Sequence, residues 1–253
     1  MSNSTHRKDG NTYTGDFDSR LSGRGKITYE SGDIYEGNVL NGEPSGKGKY
    51  ASSDGKVFEG HFKKGKLTGK GKRTYPDGNV YEGDFVDGVF HGKGKRTWAD
   101  GDVYEGDWVD DSQTGKGKYT YKNGDIYEGD WVENHRTGQG KYIFNKGTVY
   151  EGDWVYDKPT GKGRFAWPSG DVCEGDFFDG KRAGKGKYIY KNGDVYEGDY
   201  INDKATGKGR FTWTDGDVYT GDFVDSKRHG RGVLIRNDGT KKSGKWSNDA
   251  FQG

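Results

Sequence analysis

Apolar and polar positions alternate along most of the chain. Two stretches show the pattern clearly, YEGDW at residues 104–108 and GKGKYTY at residues 115–121. In both, aromatic residues and glycines fill one set of alternate positions, and charged residues fill most of the other. Alternation with a period of two puts successive side chains on opposite faces of a β-strand. The pattern therefore predicts strands with one aromatic–glycine face and one charged face.

The same pattern recurs at a fixed period. The glycine of the Y-E-G stretch occurs eleven times; the first interval is 22 residues and every later one is 23. These glycines are Gly15, Gly37, Gly60, Gly83, Gly106, Gly129, Gly152, Gly175, Gly198, Gly221 and Gly244. A period of this length indicates a repeat architecture. We predict ten full units and a partial eleventh within residues 11–253, preceded by a disordered tail at residues 1–10.

Each unit is predicted to be a β-hairpin. Val109–Thr114 would form a six-residue hairpin loop, and the KNGD stretch at residues 122–125 would form the turn to the next unit. Gly124 suits a positive φ in that turn. No stretch combines helical periodicity with capping residues, so the predicted fold class is all-β.

Antiparallel pairing gives the GKGK stretch a structural role. Glu105 and Asp107 would lie opposite or diagonal to Lys116 and Lys118, and cross-strand pairs of opposite charge contribute about 0.2–1 kcal/mol each. The glycines would leave room for rings of the neighbouring strand. GKGK also resembles a phosphate-binding loop, but the chain has neither a Walker-type motif nor a helix to follow it.

The composition changes the picture of the core. Only 28% of residues are hydrophobic, mean hydropathy is −1.16 and 47 residues are glycine, yet the chain has 18 Tyr, 12 Phe and 7 Trp. We therefore predict aromatic–glycine packing in place of a central aliphatic core. The 41 basic and 40 acidic residues give a net charge of +1, which argues against nucleic acid as a partner. Cys173 is the single cysteine, which excludes an intramolecular disulfide and favours a reducing, cytoplasmic location.

At this point a family resemblance is visible. Y-E-G-D-W, a short loop, G-K-G-K-Y and a D-G turn, repeated every 23 residues over residues 11–246, resemble the MORN (membrane occupation and recognition nexus) repeat. The resemblance implies an elongated solenoid of stacked antiparallel β-hairpins that form one long, twisted, single-layer sheet. It also implies a scaffold or tether, associated with the cytoskeleton, with a cilium or with the surface of a membrane.

Several units depart from this pattern. Cys173 and Phe58 replace the first tyrosine of their units, and Ser52 stands where other units carry a second aromatic residue. The tenth unit ends in VLIR at residues 233–236 and lacks aromatic residues there. Such a change suits a terminal capping unit.

A long row of exposed rings would be a binding surface. We predict that it forms a groove that binds a protein partner or pairs two copies of the chain as a homodimer. The alternative is that each ring is only the core of its own hairpin. The candidate groove residues are Trp108, Tyr121, Trp131, Phe144, Trp154 and Trp167.

The predicted hairpin loops carry basic residues that suggest a second kind of ligand, an anionic lipid or an acidic peptide. Aspartates occupy the same loops, so the alternative is a solvated edge of mixed charge. The candidate residues are Lys63, Lys64, Lys66, Lys181, Arg182, Lys227 and Arg228.

Nothing in the sequence points to catalysis. The carboxylates recur beside lysines, and the five histidines share no ligand-like spacing, so we predict no catalytic residue, no metal site and no cofactor. The leading hypothesis is a non-catalytic scaffold that binds a protein. The alternatives are a peripheral membrane module that binds phosphoinositides, or a regulatory subunit of a separate lipid kinase.

Overall fold

The computed structural model describes residues 4–253, and this part of the chain contains β-strands and no helix. The strands are β1 (Ser4–Lys8), β2 (Asn11–Phe17), β3 (Gly23–Thr28), β4 (Ile34–Leu40), β5 (Glu43–Ala51), β6 (Val57–Lys63), β7 (Lys66–Thr74), β8 (Val80–Val86), β9 (Val89–Thr97), β10 (Val103–Val109), β11 (Ser112–Thr120), β12 (Ile126–Val132), β13 (His135–Ile143), β14 (Val149–Val155), β15 (Lys158–Ala166), β16 (Val172–Phe178), β17 (Lys181–Ile189), β18 (Val195–Ile201), β19 (Lys204–Thr212), β20 (Val218–Val224), β21 (Lys227–Ile235), β22 (Lys241–Ser247) and β23 (Ala250–Phe251).

The strands belong to two compact units. The first contains the chain up to Lys122 together with Trp131–Asn134, and the second contains Asn123–Asp130 and His135–Gly253. Within the first unit, consecutive strands from β1 to β11 pair antiparallel. Within the second, consecutive strands from β13 to β23 do the same. The predicted fold class, an all-β stack of antiparallel hairpins, is confirmed.

A row of buried tyrosines forms the centre of each unit. Tyr104 is fully buried, and its hydroxyl donates a hydrogen bond of 3.1 Å to the carbonyl oxygen of Asp107. Its ring covers Gly117, where an added Cβ would lie 2.3 Å from the hydroxyl oxygen. Glycine is required there because any side chain would collide with the ring, as predicted. The other fully buried tyrosines of this row are Tyr35, Tyr81, Tyr127, Tyr150 and Tyr219.

The hairpin turns are shorter than predicted. β10 ends at Val109 and β11 begins at Ser112, so the turn contains two residues, and the predicted six-residue loop is wrong. Asp110 and Asp111 have φ values of 47° and 63°. Two successive residues at positive φ match the twist of a two-residue hairpin, and aspartate tolerates this conformation.

The turns between units are as predicted, and in several of them a carboxylate binds the following turn. Gly124 has a φ of 90°. In the preceding turn, Asp102 accepts a 2.8 Å hydrogen bond from the backbone N–H of Lys122 and one of 2.6 Å from the hydroxyl of Tyr119. Because Lys122 belongs to the following turn, this side chain fixes the spacing between successive repeats.

The charged face is held together by ion pairs between repeats. Glu105 lies opposite Lys118, as predicted, but a β-bulge after Gly106 places Asp107 opposite Thr114. The carboxylate of Asp107 instead pairs with Lys93 of the preceding repeat at 2.5 Å. Asp107 is therefore diagonal to Lys116, as predicted, and its carboxylate accepts a 3.0 Å hydrogen bond from the backbone N–H of Lys116, while it forms an ion pair with the preceding repeat.

The N-terminal segment differs from the predicted disordered tail. Residues 1–3 lie outside the described residues. Ser4–Lys8 form β1, which pairs with β2 in a continuous register from Ser4 opposite Gly15 to Lys8 opposite Asn11. Within the described residues, the strand at Ser4–Lys8 therefore contradicts the predicted disorder of this segment.

Candidate functional site

The six rings proposed for the groove fall into two groups, and the first is buried. Trp108, Trp131 and Trp154 are 1%, 4% and 4% exposed. Their indole N–H groups donate hydrogen bonds of 3.1–3.3 Å to the carbonyl oxygens of glycines. These three tryptophans are the core of the hairpins, so the alternative interpretation holds for them and they offer no surface to a partner.

The second group lies at the surface. Tyr121 and Trp167 are half-buried, and Phe144 is 37% exposed. Each occupies the position just before the turn between repeats. Each also packs on the ring two residues earlier, with centroid distances of 4.4, 5.5 and 4.5 Å respectively. Half of the predicted groove residues therefore remain available for binding.

These positions continue into a row of rings along the second unit. We call it the ring ladder: Phe165, Trp167, Tyr188, Tyr190, Phe211 and Trp213. Successive centroids are 5.5, 5.8, 4.6, 5.7 and 4.5 Å apart. All six rings are at least partly exposed, and Tyr190 is 39% exposed. Sequence reasoning missed five of them, although the 23-residue period relates Tyr190 and Trp213 to Trp167.

Carboxylates anchor rings of this kind from the side. Asp125 is buried and accepts a 2.8 Å hydrogen bond from the hydroxyl of Tyr142, which packs on Phe144. It also accepts a 2.7 Å bond from the backbone N–H of Asn145. Burial alone would raise the pKa of Asp125, but these hydrogen bonds hold it below its ordinary value. The rings therefore stand in fixed positions before any ligand arrives.

In the first unit, the departures from the repeat coincide with a small cavity. Phe58, which replaces the usual tyrosine, is partly exposed, unlike Tyr35 and Tyr81 on either side of it. Together with Tyr29 and Tyr50 it lines a cavity of about 350 Å³. An apolar side chain of a ligand fits a recess of this kind.

The basic residues proposed as a loop site do not lie in loops. Only Lys64 occupies a turn. Lys63 ends β6, Lys66 begins β7, and the remaining four residues lie on β17 and β21. The prediction of basic hairpin loops is wrong because the turns contain only two residues. The four residues on these two strands are Lys181, Arg182, Lys227 and Arg228.

Two of these cations already have partners inside the protein. The guanidinium of Arg182 lies 4.9 Å from the ring centroid of Tyr200 and its Nε lies 3.3 Å from a carboxylate oxygen of Asp203. Arg228 is placed in the same way, with Asp249 at 3.2 Å. Such contacts stabilise the hairpins. The three lysines between residues 63 and 66 are exposed and come closest to the anion site that the sequence predicted.

The repeat that carries all these features matches a known family. Nine consecutive segments match the model of the MORN repeat, at residues 35–57, 58–80, 81–103, 104–126, 127–149, 150–172, 173–195, 196–218 and 219–241. The chain belongs to the MORN repeat family. The match begins at Tyr35 and includes the repeat that carries Cys173, so the replaced tyrosine does not interrupt the series of MORN repeats.

Two solved structures illustrate the distant similarity of this MORN repeat chain to other proteins. One is the TCP domain of Drosophila melanogaster SAS-4 (dCPAP) in complex with a proline-rich motif of Ana2, at 19% identity over 69% of this chain and 83% of that one, with a TM-score of 0.36. The other is the TCP10 domain of Danio rerio CPAP with a STIL peptide, at 12% identity over 97% and 100%, with a TM-score of 0.37. TM-scores this low support no conclusion about the MORN repeat chain. The curated proteins contain no match.

The MORN repeat with Cys173 offers no reactive thiol. Cys173 is 1% exposed, and burial raises the pKa of its thiol to about 11. A neutral, buried thiol is a poor nucleophile.

Within residues 4–253, no group of three or more His, Cys, Asp or Glu side chains is arranged to hold a metal ion. The same residues include no helix able to cross a membrane.

Proposed function

We propose that the protein is a non-catalytic scaffold that binds a segment of a protein partner along the ring ladder, within a cytoskeletal, ciliary or membrane-associated assembly. The observation that carries the proposal is the ladder itself, a row of six mutually packed rings that is at least partly exposed along its length. A contiguous apolar patch of this kind marks an interaction surface on a soluble domain.

The ladder has the energetic features of a binding site. Aromatic side chains dominate interface energies because each can bury about 150–250 Å². The rings are already held by their neighbours, as in the 4.6 Å pair formed by Tyr188 and Tyr190. Binding therefore costs little additional side-chain entropy.

The spacing of the ladder suits an extended peptide. Phe165 and Phe211 lie two repeats apart, which corresponds to about 19 Å across four strands. An extended peptide covers that distance with about six residues. Apolar side chains on such a peptide would pack on the exposed parts of successive rings, and its backbone would remain accessible to water.

Selection of displayed peptides tests the proposal directly. The purified chain is used to select from a phage library of random dodecapeptides, and each selected peptide is measured again on Trp167→Ala/Trp213→Ala. The control is Phe178→Ala/Ile201→Ala, which removes two side chains that are 69% and 62% exposed and lie outside the ladder. We expect at least a tenfold loss of affinity for the first variant and little change for the control.

Two outcomes would contradict the scaffold proposal. One is a set of peptides that bind both variants as well as they bind the original chain. The other is a failure to select any peptide while Tyr190→Ala and the original chain behave alike in every binding assay. The single Tyr190→Ala variant keeps the test valid if the double variant is poorly folded, because Tyr190 is the most exposed ring of the ladder.

Binding of anionic lipid is the alternative, and it is favoured by one observation: Lys63, Lys64 and Lys66 are exposed at a single turn. Co-sedimentation with phosphoinositide vesicles at low and near-physiological salt distinguishes the two functions. Retention that survives physiological salt and is lost in Lys63→Ala/Lys64→Ala/Lys66→Ala would replace the scaffold proposal with a membrane module.

A further inference from the structure

The charged face of the second unit is neutralised by a regular ladder of ion pairs. In the stretches GKGR at residues 161–164 and GKGK at residues 184–187, each basic residue contacts a carboxylate of the following repeat, and so does Lys208. The pairs are Lys162–Asp176 at 2.5 Å, Arg164–Glu174 at 3.0 Å, Lys185–Asp199 at 2.6 Å, Lys187–Glu197 at 3.1 Å and Lys208–Asp222 at 2.5 Å. Because each cation has its own carboxylate, this part of the face carries little net charge.

The ladder stops after Lys208. Arg210 occupies the position of Arg164 but lies opposite Thr220, where the inner repeats have glutamate. One repeat further on, Arg231 lies opposite Lys245, where the inner repeats have aspartate. Across residues 4–253, Arg210, Arg231 and Lys245 take part in no ion pair. Glu197, on the other side of Arg210, is bound to Lys187.

The three unmatched cations line one cleft. It has a volume of about 920 Å³ and is also lined by Lys208, Glu197 and the glycines at the centre of the strands. Arg210, Arg231 and Lys245 are exposed to solvent. The glycines present only backbone to this face, because an added Cβ at Gly221 or Gly232 would point to the ring of Tyr219. Thr220, Val233 and Ser243 complete the lining. We call it the terminal basic cleft.

We propose that the terminal basic cleft binds an acidic segment of a polypeptide. The carboxylates of the segment would occupy the places that Glu174 and Asp176 fill in an inner repeat. Arg210 and Arg231 lie two strands apart, or about 9.6 Å across the sheet, and are offset by two residues along it, or about 6.8 Å. Lys245 lies one strand further. Alternate acidic residues of an extended peptide lie about 6.8 Å apart, within reach of these long side chains. Arginine favours such contacts because its guanidinium can bind both oxygens of a carboxylate.

A peptide fits the cleft better than a membrane surface does. The cations surround a recess whose floor is glycine backbone, and an extended chain can lie within it. A bilayer is planar on this scale and would reach only the rim. The site is also separate from the ring ladder, because it uses the charged side chains of the strands and not the rings.

The test completes the missing ion pairs. Thr220→Glu/Lys245→Asp installs the residues that the inner repeats already carry, so the fold should be retained, and circular dichroism and thermal unfolding verify this. The probe is fluorescein-labelled hexaglutamate, followed by anisotropy at low ionic strength, where the Debye length is about 30 Å. We expect the variant to bind the probe about tenfold more weakly than the original chain does.

The matched control is Lys64→Asp/Lys66→Ala, which makes the same change in net charge in the first unit. Equal losses in both variants would overturn the proposal, because they would indicate a general charge effect. The absence of hexaglutamate binding by the original chain would overturn it as well. So would a membrane result, in which phosphatidylserine vesicles bind the original chain but not Thr220→Glu/Lys245→Asp, and hexaglutamate binds neither.

Discussion

Trp154 and Trp167 are the same residue type on the same face of the second unit, but their environments differ. Trp154 lies opposite Gly138 in β13, is 4% exposed and donates a 3.1 Å hydrogen bond to the carbonyl oxygen of Gly140. Trp167 packs between the rings of Phe165 and Tyr188 and stays partly exposed. Both tryptophans contact other rings, but Trp154 also lies against glycine, and the space left by glycine lets this ring become buried.

Removing each of the two tryptophans should give the largest contrast. We expect Trp154→Ala to lower the free energy of unfolding by about 3–5 kcal/mol, because it removes a buried ring and leaves a cavity. Trp167→Ala should lower it by about 1 kcal/mol or less, since part of the ring is already in water. Urea unfolding of both variants measures the difference. Equal losses would show that the two rings contribute equally to stability despite their different burial.

Glycine substitutions should show that the tyrosine rings can be buried only because the glycines that they cover have no side chain. A Cβ added at Gly140 would lie 2.3 Å from the hydroxyl oxygen of Tyr127. We expect Gly140→Ala to cost about 1–3 kcal/mol, because the ring must move. Gly186 is the matched control: Cys173 replaces the tyrosine there, and the nearest atom would be 3.1 Å away. In thermal unfolding, Gly186→Ala should have the smaller effect; the reverse order would refute this explanation.

The next largest effect on the free energy of unfolding is expected from protonation of Asp125, the carboxylate that holds the ring of Tyr142. The pKa of Asp125 is lowered in the folded protein, so its contribution is complete above the unfolded pKa of about 3.9 and is lost as the pH falls through the folded value. Asp125→Asn should cost about 1 kcal/mol at neutral pH. Below pH 4 its unfolding free energy should fall less steeply than that of the original chain. Parallel curves from urea unfolding at several pH values would argue against this anchor.

The smallest effect is expected on the charged face. Lys162→Ala breaks an exposed ion pair with Asp176 and should cost about 0.2–1 kcal/mol. The loss should shrink in high salt because exposed charges are screened. Unfolding in urea with and without added salt measures both quantities. A large cost that does not depend on salt would mean that the pair stabilises the fold as a buried contact does, and not as an exposed ion pair.

Much of the fold could be predicted from the sequence because its period and alternation are strict. They predicted the strands, the covering of Gly117 by Tyr104 and the opposition of Glu105 and Lys118. Alternation assigns a residue to a face, but it does not say how deep its side chain lies. Trp108 and Tyr121 therefore looked equivalent, although only Trp108 is fully buried.

The turns and the internal cations required the structure. The Asp110–Asp111 pair carries no glycine, so nothing local marked it as a two-residue turn with both residues at positive φ. The same loop length was applied to every unit and placed Arg182 in a loop, although the turn of its hairpin, Asp179–Gly180, contains a glycine. The packing of that guanidinium against Tyr200 and Asp203 depends on side chains from other strands, and a single-sequence pattern does not reveal such contacts.

The ion pairs that run from each repeat into the following one also bear on how such a chain can change in length during evolution. Duplication or loss of one whole period recreates every junction, because the new neighbour presents the same carboxylates to the same cations. A change by a fraction of a period would put Lys162 and Arg164 beside residues that cannot pair with them and would put side chains where the tyrosines need glycine. Recombination within the gene is therefore expected to preserve the fold only when it adds or removes complete repeats.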